Sequence, residues 1–202
     1  LDDCGNVNAA ITNGGVAAGA SYDFGNGFST AVGFASATEA TGIATEETQD
    51  AYGLNVAYTG DNYGVSYTYG VIESTAGTPA VLDDKEDEFS AFNAYYTPDL
   101  DGFPSISAGY EIGDDESRGN YAQITSLFFG LQWDEVGPGS AGVAAGHSNS
   151  KEGEDEEWMY EAYYSYPVND GMTITPVVYS KDSATSGTDD TTGVMVKTSF
   201  SF

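Results

Sequence analysis

Positive charge is almost absent from this sequence. Lys and Arg together number 5 against 32 Asp and Glu, which gives a formal net charge of −27 at pH 7. Nucleic acids are excluded as natural partners, because a chain of this charge repels their phosphates. The same imbalance predicts an attraction for cations.

Cysteine, histidine and long apolar runs are scarce as well. One Cys and one His are too few for a zinc site. No run of about eighteen apolar residues exists, which excludes a membrane-spanning helix but not membrane-spanning strands, whose signal is weaker. Cys4 either pairs with a cysteine outside this sequence or is a free thiol. The chain begins at Leu1 without a signal peptide, so a mature product or a fragment is expected.

Catalytic motifs are also missing. No Gly-x-Ser-x-Gly sequence is present, and His147, the single histidine, falls at the end of a predicted strand. The acid-rich runs 98–102 and 113–119 offer oxygen ligands for calcium, but they match a calcium loop poorly, so solvated loop charge is the preferred interpretation. We therefore expect no enzymatic activity, no cofactor and no metal site.

Tyrosine and glycine are abundant, at 15 and 26 residues, and aromatic residues make up 13% of the chain. This mixture favours strands and turns over helices. A disordered acidic chain would lack the aromatic residues. The length allows one domain.

The last eleven residues, 192–202, alternate with period two. Val194, Val196 and Phe200 share one side with Thr198 and Phe202, whereas the intervening positions are Gly, Met, Lys and Ser. Such alternation indicates a β-strand with one apolar side. Many outer-membrane β-barrels end in a strand that closes on Phe.

The same alternation predicts eleven strands, joined by connections of two kinds. The strands are 15–24, 28–36, 52–58, 63–71, 88–97, 103–112, 123–133, 140–148, 158–168, 172–181 and 192–202. Short turns rich in Asn, Asp and Gly are predicted at 25–27, 60–62, 98–102, 134–139 and 169–171. Longer polar segments fill 37–51, 73–87, 113–122, 149–157 and 182–191.

Long loops on one side and short turns on the other are typical of a transmembrane barrel whose short turns are periplasmic. Most acids fall in or beside the longer segments, and we expect them to form an acidic outer mouth. Its predicted members are Asp83, Asp84, Glu86, Asp87, Asp114, Asp115, Glu116, Glu152, Glu154, Asp155, Glu156 and Glu157.

A soluble β-sandwich also has alternating strands. Its solvent face would carry many charges, however, whereas these strands offer mostly Gly, Ser, Ala, Thr and Asn opposite the apolar side. Aromatic residues also cluster near both strand ends, as two interfacial girdles would require. The predicted girdles are Tyr22, Phe24, Phe28, Tyr58, Tyr63, Tyr96, Trp133 and Tyr166 near the short turns, and Tyr52, Tyr69, Tyr110 and Trp158 near the long loops.

Four charged residues are predicted to face the lumen: Asp23, Glu111, Glu161 and Lys197. Lys197 lies where most other strands offer only small groups. It either tunes ion selectivity or forms a salt bridge with Glu161 across the intervening strand.

The strand number suggests a larger barrel. Bacterial barrels normally have an even number of strands with both termini periplasmic, so eleven strands would place residues 1–14 outside the cell, as an extracellular loop or truncated segment. Residues 15–202 are then the C-terminal portion of a single antiparallel, porin-type barrel of about sixteen strands.

Two stretches resemble a known family. Residues 126–134 (SLFFGLQWD) with 141–147 (AGVAAGH), and residues 158–179 with the terminal Phe202, resemble the closing strands of cyanobacterial outer-membrane porins. These porins carry an N-terminal S-layer-homology domain, are often called iron-uptake porins, and are loosely similar to carbohydrate porins. The resemblance implies an outer-membrane location in a Gram-negative-type cell, homotrimers in contact with membrane lipid, and cell-wall binding only through a segment absent here.

Three functions compete at this point. The first is passive diffusion of inorganic ions and small hydrophilic solutes through a pore with a cation-attracting mouth; the resemblance adds carbohydrates and iron to the solutes. The second is a structural surface anchor with little or no conductance. The third, a phospholipase-like barrel enzyme, is the least favoured because the catalytic motif is missing.

Overall fold

The computed structural model describes residues 15–37, 50–74, 85–115, 122–151, 153, 155–183 and 189–201. These residues form eleven β-strands. They are β1 (Gly15–Asp23), β2 (Phe28–Ala37), β3 (Asp50–Thr59), β4 (Tyr63–Ser74), β5 (Lys85–Tyr96), β6 (Ser105–Asp115), β7 (Ala122–Val136), β8 (Gly139–Lys151), β9 (Met159–Asn169), β10 (Met172–Lys181) and β11 (Thr191–Phe200).

The strands form one antiparallel sheet in sequence order, from β1 at one edge to β11 at the other. The predicted all-β, antiparallel architecture and its strands are therefore confirmed. Among the described residues, β1 pairs only with β2 and β11 pairs only with β10, so the sheet does not close on itself. Residues 1–14, predicted to be extracellular or truncated, lie outside the described residues.

Several strands are longer than the alternation predicts. β5 begins at Lys85 and β6 continues to Asp115, so acids predicted to lie in loops belong to strand ends. Cross-strand pairing extends the ladder here, with Glu73 opposite Glu86. Polar strand ends carry no apolar alternation, which is why the pattern stops short of them.

The connection between β7 and β8 also differs from the prediction of a turn at 134–139. β7 continues to Val136, and only two residues, Gly137 and Pro138, separate it from β8. Gly137 has a φ of 64°, a left-handed conformation that glycine adopts at little cost. The register shifts between Trp133 and Val136, which accommodates the two intervening acids in the strand.

Because side chains alternate along each strand, the continuous register divides the sheet into two faces. We call one the apolar face; its exposed large side chains include Val16, Val32, Leu54, Val56, Val65, Phe92, Ile106, Phe129, Val143, Tyr160, Tyr166, Val178, Val194, Val196 and Phe200. Val196 and Phe200 are 62% and 61% exposed. A sandwich would cover such a face with a second sheet, but the described strands all belong to one sheet.

We call the opposite side the small-residue face. Gly, Ala, Ser and Thr dominate it between β1 and β4, as in the register row Gly19, Gly33, Gly53 and Gly70. Most of the buried side chains, including Phe89, Ala91 and Ser126, also lie on this face.

The small-residue face is bulkier between β5 and β11 than predicted. Four of its aromatic rings each lie over the glycine directly opposite on the neighbouring strand: Tyr95 over Gly64, Phe89 over Gly113, Tyr163 over Gly142, and Tyr179 over Gly193. Because a glycine leaves room for a ring against the backbone, these large residues fit a face that alternation alone predicts to be lined by small ones.

The two ends of the strands differ in composition. We call the end that bears the connections after β1, β3, β5, β7 and β9 the short-turn edge, and the other end the long-loop edge. At the short-turn edge, Asp23 accepts a hydrogen bond from the Gly25 amide (2.8 Å) and Asn169 accepts one from the Gly171 amide (2.9 Å). These side chains bond to the backbone two residues ahead and so fix the turns.

Candidate functional site

The four residues predicted to line the lumen share one face. Following the register across the sheet places Asp23, Glu111, Glu161 and Lys197 on the small-residue face. Tyr164 and Phe200 lie on the apolar face, as the alternation predicts. The four charged residues nevertheless occupy different environments.

Glu111 lies in a packed cluster rather than in an open channel. Its side chain is 1% exposed, directly opposite Ala91 on β5 and Ser126 on β7. The Ser126 hydroxyl donates a hydrogen bond to Glu111 Oε1 at 3.4 Å. Phe89 and Ile124, at 5% and 7% exposure, pack on the same face nearby. This cluster covers part of the small-residue face along β5–β7, and sequence alternation alone does not predict it.

Asp23 helps to form the turn after β1, whereas Glu161 and Lys197 are exposed on the small-residue face of the sheet. Glu161 lies opposite Tyr179, which lies opposite Gly193. Lys197 is four residues further along β11, so its Cα is roughly 17 Å from that of Glu161. The two side chains do not span this distance, and no ion pair between them occurs.

Seven of the twelve acids predicted to form an outer mouth lie within the described residues, all of them at the long-loop edge. Glu86 and Asp87 on β5 and Asp114 and Asp115 on β6 lie at the long-loop edge. Asp155, Glu156 and Glu157 precede β9 at the same edge. Asp83, Asp84, Glu116, Glu152 and Glu154 lie outside the described residues.

Basic residues also occur at the long-loop edge. Lys151 ends β8 and Lys181 ends β10. Lys181 Nζ lies 3.0 Å from Glu157 Oε2, and both side chains are partly exposed. Such a pair contributes little stability, but it neutralises one lysine charge at the long-loop edge. Because Lys181 and Glu157 are far apart in the sequence, the sequence pattern does not predict this ion pair.

His147 belongs to a polar cluster at the long-loop end of the apolar face. It is 6% exposed and packs edge-on against Trp158, with the ring centroids 5.1 Å apart. Ser150 Oγ lies 2.8 Å from its Nδ1, and Glu156 Oε1 lies 4.0 Å from its Nε2. The Trp158 indole donates to Glu156 Oε2 at 2.9 Å.

This arrangement places a serine and a carboxylate on the two sides of a histidine ring, but it lacks the geometry of a catalytic triad. The histidine–carboxylate separation exceeds hydrogen-bonding distance. Moreover, Trp158 takes the same carboxylate as its acceptor. The cluster instead ties the segment before β9 to the end of β8.

Two troughs lie mainly on the small-residue face. One, of about 740 Å³, crosses the strands β1–β5 over the glycine row, with Asn55 and Thr68 in its lining. Asn55 Nδ2 donates to Thr68 Oγ1 at 2.8 Å. The other, of about 620 Å³, crosses β7–β11 and includes Phe128, Glu161 and Tyr179. The face therefore offers concave, partly polar surface at both sides of the Glu111 cluster.

No group of three or more His, Cys, Asp or Glu side chains among the described residues is arranged to hold a metal ion. The described part of the chain also contains no helix long and apolar enough to cross a membrane.

No family model, no curated protein and no solved structure matches this sequence.

Proposed function

We propose that this chain forms the wall of an outer-membrane porin, through which inorganic ions and small hydrophilic solutes diffuse with a preference for cations. The single observation that carries this proposal is the exposed apolar face, which extends across all eleven strands. The resemblance found in residues 126–134 and 158–179 adds iron species as candidate cations, a homotrimeric assembly and a cyanobacterial outer membrane to the proposal.

The apolar face has the size and composition expected of a lipid-facing wall. Soluble monomers rarely expose apolar patches larger than a few hundred Å², whereas here large apolar side chains remain exposed from β1 to β11. The hydrocarbon core of a membrane would bury them without a second sheet.

An aromatic belt at the short-turn edge also supports contact between the apolar face and a membrane. Tyr58 contacts both Phe28 and Tyr63, with ring centroids 4.8 Å and 5.5 Å apart, and Tyr22 contacts Phe24 at 4.9 Å. Tyr22, Phe28 and Tyr63 are exposed. Aromatic rings with one polar atom favour the boundary between hydrocarbon and water.

The small-residue face suits contact with water. Its glycine row and its hydroxyl groups leave space along β1–β4, and its exposed charges, Glu161 and Lys197, would be costly against lipid. The surplus of acids at the long-loop edge creates a negative potential that raises the local cation concentration, most strongly at low salt.

A structural anchor of low conductance is the second candidate. The observation that favours it is the packed cluster around Glu111, in which Phe89, Ile124 and Ser126 are buried on the small-residue face. A cluster of this kind obstructs part of a lumen.

Planar-bilayer recording separates the two candidates. The purified protein should produce stepwise ionic currents, and the reversal potential in a KCl gradient should indicate a preference for K⁺ that weakens as salt increases. Stable insertion without currents would support the anchor and refute the porin. Currents with anion preference at low salt would refute the proposal that the acids at the long-loop edge determine ion selectivity.

A further inference from the structure

The trough between β7 and β11 has a small-residue floor and apolar sides. Ala144 and Gly146 on β8 form its floor. Gly146 lies opposite Phe128 on one side and Met159 on the other. Ala144 lies opposite Glu161, which in turn lies opposite Tyr179. The Cα atoms of Phe128 and Met159 are therefore about two strand spacings, or roughly 10 Å, apart.

The apolar groups of this trough are exposed, unlike those of the neighbouring cluster. Phe128, Met159 and Tyr179 are 41%, 38% and 41% exposed, whereas Phe89 is 5% exposed. Their exposure has a cost in a water-filled lumen. A solute with an apolar surface would reduce this cost by occupying the trough.

The charge of the trough is negative. Glu161 is exposed in its wall, and among the described residues no basic group lies within ion-pair distance of it. The lysine in the lining, Lys181, is 3.0 Å from the Glu157 carboxylate. A cation entering the trough therefore meets one carboxylate without a neutralising partner, because the lysine charge is already balanced.

We propose that this trough is a binding site for organic ammonium cations that carry an apolar group. The carboxylate of Glu161 would attract the ammonium charge, and the Tyr179 ring on the neighbouring strand would contact it through a cation–π interaction. Phe128, on the opposite side of the trough, would pack against the apolar group. Met159, with its polarisable sulfur, would contact the apolar group. The inference rests on the proposed function, since it names a solute class for the lumen of the same channel.

The lining discriminates against other ligand classes. Glu161 and the acids at the long-loop edge repel carboxylate and phosphate anions. A bare divalent metal ion prefers several oxygen ligands, and the trough supplies one carboxylate. An uncharged sugar gains nothing from the negative charge that distinguishes this trough from the one across β1–β5.

Isothermal titration calorimetry on the protein in nonionic detergent micelles tests the proposal. Benzyltrimethylammonium is the probe, benzyl alcohol and benzoate are its neutral and anionic counterparts, and glucose represents sugars. Saturable binding of the ammonium probe alone is expected. Equal binding of benzyl alcohol, preferential binding of benzoate or glucose, or no saturable binding of the ammonium probe would overturn the proposal.

Single substitutions in the lining test which residues bind the ammonium probe. Glu161→Gln, at an exposed position, should weaken ammonium binding about tenfold, and Phe128→Leu and Tyr179→Leu should each weaken it about threefold to tenfold. Asp101→Asn removes one carboxylate from a remote turn and should leave the affinity within about twofold. An equal loss in Glu161→Gln and Asp101→Asn would show general charge attraction and overturn the assigned site.

Failure of this inference is distinguishable from failure of the proposed function. Bilayer currents in a protein that does not bind the ammonium probe would refute the binding site and leave the porin intact. Ammonium binding that depends on Glu161 in a protein that inserts without currents would support the site and refute the porin.

Discussion

A paired substitution at Val196 and Met195 distinguishes a lipid-facing sheet from a soluble one. The two residues are neighbours near the middle of β11, and their exposed fractions are similar, 62% and 50%. They differ in face: Val196 lies on the apolar face and Met195 on the small-residue face. Val196→Arg and Met195→Arg therefore place the same charge at nearly the same depth in two different environments.

The expected difference in the free energy of unfolding between the two variants follows from the medium, lipid or water, that surrounds each side chain. Arginine on the lipid face of a barrel near the bilayer midplane costs about 2–4 kcal/mol, which lowers the folding equilibrium constant about 30-fold to 700-fold. At Met195 the same side chain would project into water and should cost within about 0.5 kcal/mol. In a soluble protein both positions would be exposed surface, and both changes should cost within about 0.5 kcal/mol.

The assay is urea titration of folding into phospholipid vesicles, with the free energy of unfolding obtained from the midpoint and slope. A loss of about 2 kcal/mol or more at Val196, with little change at Met195, is expected. Equal and small effects at both residues would refute the membrane assignment. A larger loss at Met195 would mean that the two faces are assigned to the wrong media.

Four further tests address the membrane interface, the loop acids, the sheet edges and one crowded glycine. Phe200→Arg, at the strand end, should cost only about 0–1 kcal/mol, and a cost equal to that of Val196→Arg would contradict the assumed depth. Neutralising the acids of 152–157 together should lower cation preference in reversal-potential measurements without unfolding the protein, since loops contribute little to barrel closure; an unchanged preference would assign selectivity to Lys197 or other lumen groups. Because β1 and β11 do not pair and an open edge in lipid leaves backbone groups unsatisfied, β1 should pair with strands outside this sequence, and disulfide formation between cysteines introduced into β1 and β11 would contradict this. Gly113→Ala should destabilise the protein by about 1–3 kcal/mol, since a Cβ there meets the Phe89 ring at 2.5 Å, whereas Gly33→Ala, with no atom within 4 Å, is the control and should be tolerated; equal losses would contradict the crowding argument.

The strands and their faces were predictable because they depend on a local repeat. In β9, Tyr160, Ala162 and Tyr164 alternate with Glu161 and Tyr163, and this period of two determines the face of each residue once the strand forms. The apolar and small-residue faces follow from such patterns without knowledge of the neighbouring strands.

The environments of individual site residues were not predictable, because they depend on contacts between distant segments. Alternation gives the face of Glu111, but its burial depends on Phe89 and Ser126 from the two neighbouring strands. The Lys181–Glu157 ion pair likewise joins residues 24 positions apart. The register that brings them together is set by turns and by bulges, which no period-two pattern encodes.

Thiol labelling of single-cysteine variants in lipid vesicles tests the central claim most directly, which is that the small-residue face contacts water and the apolar face contacts lipid. In a Cys4→Ser background, cysteines at Ser66 and Thr68 of β4 should react with a charged, water-soluble maleimide, whereas cysteines at Val65 and Tyr67 should be protected. Labelling at all four positions, or labelling only at Val65 and Tyr67, would contradict the account.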